Sequence, residues 1–152
     1  MSEHIHKRHN KSLLLYHLVF PVKYRKKVFT NEIEQTLKNV CEDMSVWYEI
    51  HFVEIWVDRD HVHFLIQSVP KFPVTDIVTK IKSITAKEVF QKHPELKKQL
   101  WWWNFWTSWF YANTVWQYAN EDVIRQYVKN QWMEKEYKEL SKNQLTLFEG
   151  LV

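Results

Sequence analysis

The spacing of apolar residues switches back and forth between strand and helix periods along this chain, and that alternation constrains its fold more than any other feature. Leu13 to Val22 is rich in apolar and aromatic residues and reads as a buried first strand, followed by a basic turn, Lys23 to Lys27. The pattern changes to helix at Asn31, which with Glu34 forms an expected capping box ahead of an apolar face made by Ile33, Leu37, Val40, Cys41 and Met44. Tyr48 to Val57 and His61 to Val69 read as a hairpin joined by the polar turn Asp58-Arg59-Asp60. Pro73 opens a second helix whose Val74, Ile77, Val78, Ile81 and Ile84 repeat at helical spacing, with Lys80 and Lys87 facing elsewhere and His93-Pro94 ending it. Phe110 to Val115 is the fourth expected strand, and Asn120 caps a last helix with Glu121 and Asp122 in its first turn. The order β-α-β-β-α-β plus a terminal helix predicts an α+β fold: a ferredoxin-like four-stranded antiparallel sheet with two covering helices and a further C-terminal helix. That order implies no function by itself.

At 152 residues the chain has the length of a single domain. Its one cysteine, Cys41, falls on an apolar helix face, which excludes an intrachain disulfide and a cysteine zinc site and points to a reducing compartment. The first ten residues lack an apolar signal core, and Leu13 to Val22 is too short to span a bilayer, so a soluble cytoplasmic protein with no membrane partner is expected. The formal charge of +3 only permits a polyanionic partner, but its distribution is uneven. Lysines and arginines crowd the flanks of the first strand and the second helix, a pattern that fits either a solvated surface or a phosphate-binding one.

Two groups of residues could carry chemistry. In His61-Val62-His63, period-2 geometry sends both imidazoles to one face, about 7 Å apart, while Val62, Phe64 and Ile66 enter the other. One metal ion can reach both rings, although the triplet alone more often marks two ordinary surface or core histidines. On the last helix Tyr127 and Gln131 stand at i and i+4, sharing a face with Cβ atoms roughly 6 Å apart. A tyrosine hydroxyl is a poor nucleophile at neutral pH unless its target is already polarised by a cation. Histidine, amide and phosphate oxygen donors suit Mg²⁺ or Mn²⁺ with open positions.

Three segments, taken in order, bring these groups into one pattern. Leu14 to Val28 with Phe20-Pro21-Val22-Lys23-Tyr24-Arg25, then Asp58-Arg59-Asp60-His61-Val62-His63-Phe64-Leu65, then Tyr127-Val128-Lys129-Asn130-Gln131, resemble the single-tyrosine transposases of small insertion sequences, members of the HUH superfamily. The resemblance runs from about Asn10 to Gln131, and its strength lies in the ordered set, since each motif is weak alone. It implies that residues 1–138 form one transposase domain and 139–152 a polar tail. It implies that His61, His63 and Gln131 bind a divalent metal, Mg²⁺ or Mn²⁺. Tyr127 then cleaves single-stranded DNA, leaving a 5′-phosphotyrosine and a free 3′-hydroxyl, with no nucleotide cofactor because the phosphotyrosine conserves the energy of the broken diester. It further implies a homodimer that recognises single-stranded DNA hairpins at the element's ends, with Lys23, Arg25, Lys82 and Lys87 as candidate phosphate contacts.

Gly150 is the only glycine, where average usage of roughly 7% would give about ten, and tryptophan is correspondingly abundant. Relatives in this family carry glycine where glycine's backbone freedom is used, and the resemblance expects it at Trp102, Trp103, Trp109 and Trp116. These tryptophans either form a surface that stacks on unpaired bases or stand in for glycines, and their coincidence with expected glycines favours the second. The alternatives to an active transposase are a non-catalytic module like an RNA-recognition domain and an inactivated transposase that retains DNA binding. The first lacks its glycine-aromatic signature here.

Overall fold

The computed structural model describes residues 4–100 and 104–115, all within one compact unit, Ser2–Gln117. The expected last helix with Tyr127 and Gln131, the tail 139–152, and Trp102, Trp103 and Trp116 lie outside the described residues. A short antiparallel hairpin, β1 (Ile5–His6) with β2 (Lys11–Ser12), opens the fold; strands of two residues are too short to give a periodic signal. Then follow β3 (Leu14–Pro21), α1 (Asn31–Trp47), β4 (His51–Val57), β5 (His61–Ser68), α2 (Val74–Lys92), a single turn α3 (Leu96–Gln99) and β6 (Tyr111–Val115). The main sheet has the order β4-β5-β3-β6, every pair antiparallel. This is the expected ferredoxin-like sheet, in which the central strands β3 and β5 are far apart in sequence.

α1 forms because its apolar residues repeat at helical spacing, and all five expected positions, Ile33, Leu37, Val40, Cys41 and Met44, are buried. Its cap corrects the expectation. Thr30, not Asn31, is the N-cap, and its hydroxyl accepts from the Ile33 amide at 3.4 Å, while Asn31 is already helical. On α2, Ile77, Val78 and Ile81 are buried as expected; Thr85, Val89 and Phe90 continue that face, and Ile84 lies at its edge, half-buried. His93 caps the helix where His93-Pro94 was expected to end it. Among the described residues no helix is long and apolar enough to cross a membrane.

The two faces of the sheet differ in kind. Leu18 and Phe20 of β3 and Val62, Phe64 and Ile66 of β5 pack with Leu37, Met44, Ile77 and Ile81 of the helices into one core. Residues paired across antiparallel strands share a face, so the pairs Val19↔His63, His17↔Leu65 and Pro21↔His61 place His17, His61 and His63 together on the opposite face. All three are buried, as is Gln67 beside them. Buried polar side chains require partners, so this face is held together by contacts among polar groups and the opposite one by apolar packing.

Candidate functional site

β5 carries His61 and His63 on its non-core face, and their ring centroids are 5.0 Å apart with planes inclined at 67°. The rings therefore converge more closely than the strand repeat of about 7 Å requires. His61 Nδ1 lies 2.8 Å from Asp60 Oδ1. A carboxylate only accepts, so His61 donates from Nδ1, and of its two ring nitrogens only Nε2 can offer a lone pair to a ligand. Asp60 is fixed in turn by Arg25, whose Nε and Nη2 donate to the other carboxylate oxygen, Oδ2, at 3.1 and 2.9 Å. Burial works against the Asp60 carboxylate, but the hydrogen bond from His61 and the Arg25 guanidinium outweigh it and hold its pKa below the usual range.

The local backbone explains how Arg25 reaches inward. Tyr24 and Arg25 have φ of 58° and 54°, the only positive values among the described residues. Two successive non-glycine residues in this region cost about 1–2 kcal/mol each. The turn is held by the Arg25 amide on the Val22 carbonyl at 2.9 Å, and the Val22 and Lys23 amides bond Asp60 and Phe105 at 2.8 Å each.

His63 differs from His61. Its Nδ1 is 3.0 Å from His17 Nε2, whereas its Nε2 is buried with no hydrogen-bond partner among the described residues. Burial, followed by the nearby His17 and His61, lowers the His63 pKa to about 3, and burial alone lowers that of His17 to about 4, so both rings are neutral at ordinary pH. An unpartnered buried ring nitrogen beside a second, carboxylate-oriented imidazole has the donor chemistry of a metal pair. The two histidines fit a divalent cation on this ground. Among the described residues no group of three His, Cys, Asp or Glu side chains could hold an ion.

The sequence profile of the family described as "Transposase IS200 like" matches residues 10–131. The chain belongs to the IS200-like transposases. It is 31% identical over 118 residues to the ISDra2 transposase TnpA of Deinococcus radiodurans, covering 78% of this chain and 84% of that one. With the IS200 element transposase of Salmonella typhimurium it shares 27% over 116 residues, 76% of this chain and 75% of the relative. Among solved structures, a putative transposase from D. radiodurans superposes with a TM-score of 0.68 at 30% identity, over 84% of this chain and 97% of that one. A REP-associated tyrosine transposase bound to a REP hairpin gives 0.51 at 14% identity, over 88% and 77%, a likeness of fold alone.

In this IS200-like transposase the expected phosphate contacts fall into two kinds. Lys23, Lys82 and Lys87 line one groove of about 880 Å³ between α2 and the segment 104–110, together with Lys97, Phe105 and Phe110. Within it Lys82 donates to three carbonyls, those of Thr107, Trp109 and Ser108, at 2.7, 3.0 and 3.2 Å, and burial lowers its pKa to about 8. Arg25 is engaged with Asp60. Trp109, half-buried in the Lys82 turn, does not have a positive φ, so the left-handed freedom of a glycine is not used there. Sequence reasoning missed Asp60 and His17. The adjacency of a carboxylate to a candidate ligand, Asp60-His61, was the available signal for the first.

Proposed function

We propose that this IS200-like transposase is a metal-dependent enzyme that cuts and rejoins single-stranded DNA at the ends of an insertion sequence through Tyr127. The observation that carries the reading is the histidine pair: one ring oriented by Asp60, the other presenting a buried nitrogen with no hydrogen-bond partner among the described residues. His61 and His63 are the ligands, with Gln131 as the third by family resemblance. A bound Mg²⁺ or Mn²⁺ supplies Lewis-acid polarisation of a phosphate oxygen.

The chain's own groups do the rest. Asp60 keeps the His61 proton on Nδ1, and Arg25 keeps Asp60 ionised and aimed. The Tyr127 oxygen attacks phosphorus; its O–P bond forms as the P–O3′ bond breaks, the phenol proton passing to solvent and the 3′-oxygen taking one up. The product is a 5′-phosphotyrosine and a 3′-hydroxyl, and the reverse attack by a 3′-hydroxyl rejoins DNA without a nucleotide cofactor. Lys23 and Lys87, on a groove that also carries aromatic rings, suit the backbone of an unpaired strand. The active form is a homodimer working in the cytoplasm on hairpins, in keeping with a structural relative that was solved on one.

The reading is tested with end-labelled oligonucleotides, one bearing a single-stranded hairpin and one fully paired. Cleavage of the hairpin substrate in Mn²⁺, suppressed by chelator and absent from the duplex, is the expected result. Equal cleavage of both, or cleavage indifferent to chelator, contradicts it.

A further inference from the structure

β3 lies between β5 and β6, and the β3–β5 register sets His17 diagonally from His63: His63 faces Val19 while His17 faces Leu65. The rings meet along their edges. His17 Nε2 and His63 Nδ1 are 3.0 Å apart, the ring planes differ by 11°, and the centroids are 5.3 Å apart. Tyr111, on the other neighbouring strand, packs its ring edgewise on His17 with centroids 6.1 Å apart. His17 is as deeply buried as His63, so this contact is part of the interior and is not a surface encounter.

Two neutral imidazoles joined in this way must divide the roles of donor and acceptor. If His17 donates, His63 accepts at Nδ1 and carries its own proton on Nε2. A buried N–H would then face no acceptor among the described residues, the rarer of the two possible defects, and that nitrogen would have no lone pair for a cation. If His63 donates from Nδ1, its Nε2 holds the lone pair that a metal ligand needs.

We infer that His17 is a positioning residue, accepting the Nδ1 hydrogen of His63 and so fixing the tautomer that presents Nε2 to the cation. The inference rests on the reading of His61 and His63 as cation ligands. It assigns the two ligands unlike partners: His61 is oriented by the anionic Asp60, and His63 by a neutral ring that brings no further negative charge into the pocket.

Side-chain ¹⁵N spectra of the metal-free wild-type protein read the tautomer without any activity. The expected result is His63 protonated at Nδ1 and unprotonated at Nε2; the reverse assignment overturns the inference. Mn²⁺ titrations followed by electron paramagnetic resonance add a second reading. His17→Phe keeps a planar ring but no acceptor and should weaken Mn²⁺ binding about 10-fold or more, while His17→Gln keeps an acceptor oxygen and should recover most of the affinity. Wild-type affinity in His17→Phe overturns the inference. If the wild type shows the expected tautomer yet binds no Mn²⁺, the cation reading fails and the control of the His63 tautomer by His17 stands.

Discussion

Arg25 and His61 both bond the Asp60 carboxylate: Arg25 Nε and Nη2 lie 3.1 and 2.9 Å from Oδ2, and His61 Nδ1 lies 2.8 Å from Oδ1. The two sequence motifs Lys23-Tyr24-Arg25 and Asp58-Arg59-Asp60-His61 are therefore one structure, a charge-assisted relay that ends on a candidate ligand. Asp60→Asn keeps the shape but can turn an amide N–H toward His61 in place of an acceptor. Mn²⁺ affinity should fall about 10- to 100-fold, with circular dichroism unchanged. Arg25→Ala should do the same more weakly. Unaltered affinity in Asp60→Asn would remove the relay from the account.

Stability should depend on pH through the buried rings. His17 and His63 have folded pKa values of about 4 and 3, below the ordinary 6.5, so the unfolded chain binds protons that the native one refuses. Their contribution is complete above pH 6.5 and is lost as the pH falls through 6.5 toward 4 and 3, by up to about 1.4 kcal/mol per pH unit for each ring. Asp60, with its lowered value, adds a loss of the same sign at lower pH. Urea unfolding of the metal-free protein at pH 7.5, 5.5 and 4.5 should show this decline. A flat profile between 7.5 and 4.5 would contradict the assignment of both rings as neutral and buried.

The basic groove separates structural from binding lysines. Lys82→Met removes the donor from three carbonyls and should cost about 1–3 kcal/mol of stability, read by thermal or urea unfolding. Lys23→Ala and Lys87→Ala should leave stability nearly unchanged, weaken single-strand binding, and each reduce the slope of log affinity against log salt by about 0.7. Equal effects of all three changes on stability, with no change of salt slope, would contradict this division.

Much of this was legible in the sequence, for local reasons. The buried face of α1 and the core face of β5 follow from period alone, since Ile33, Leu37, Val40, Cys41 and Met44 or Val62, Phe64 and Ile66 can meet a core in only one way. The placement of His61 and His63 on the opposite face follows from the same alternation. What was not legible depends on distant closure. Arg25 points to Asp60 only because two non-glycine residues adopt positive φ, which no pattern announces. His17 meets His63 only because β3 and β5 become neighbours in a register that the chain order does not specify. Lys82 reads as a surface cation in sequence, and it becomes an internal donor only when residues 107–109 fold over it.

The measurement that bears most directly on the central claim is covalent capture. A labelled single-stranded hairpin oligonucleotide incubated with Mn²⁺, then denatured, should leave label on the wild-type chain, and mass spectrometry of the digest should place it on Tyr127. Tyr127→Phe deletes only the hydroxyl and should bind the hairpin with unchanged affinity yet carry no label. Label retained by Tyr127→Phe, or mapped to another residue of the wild type, would contradict the account.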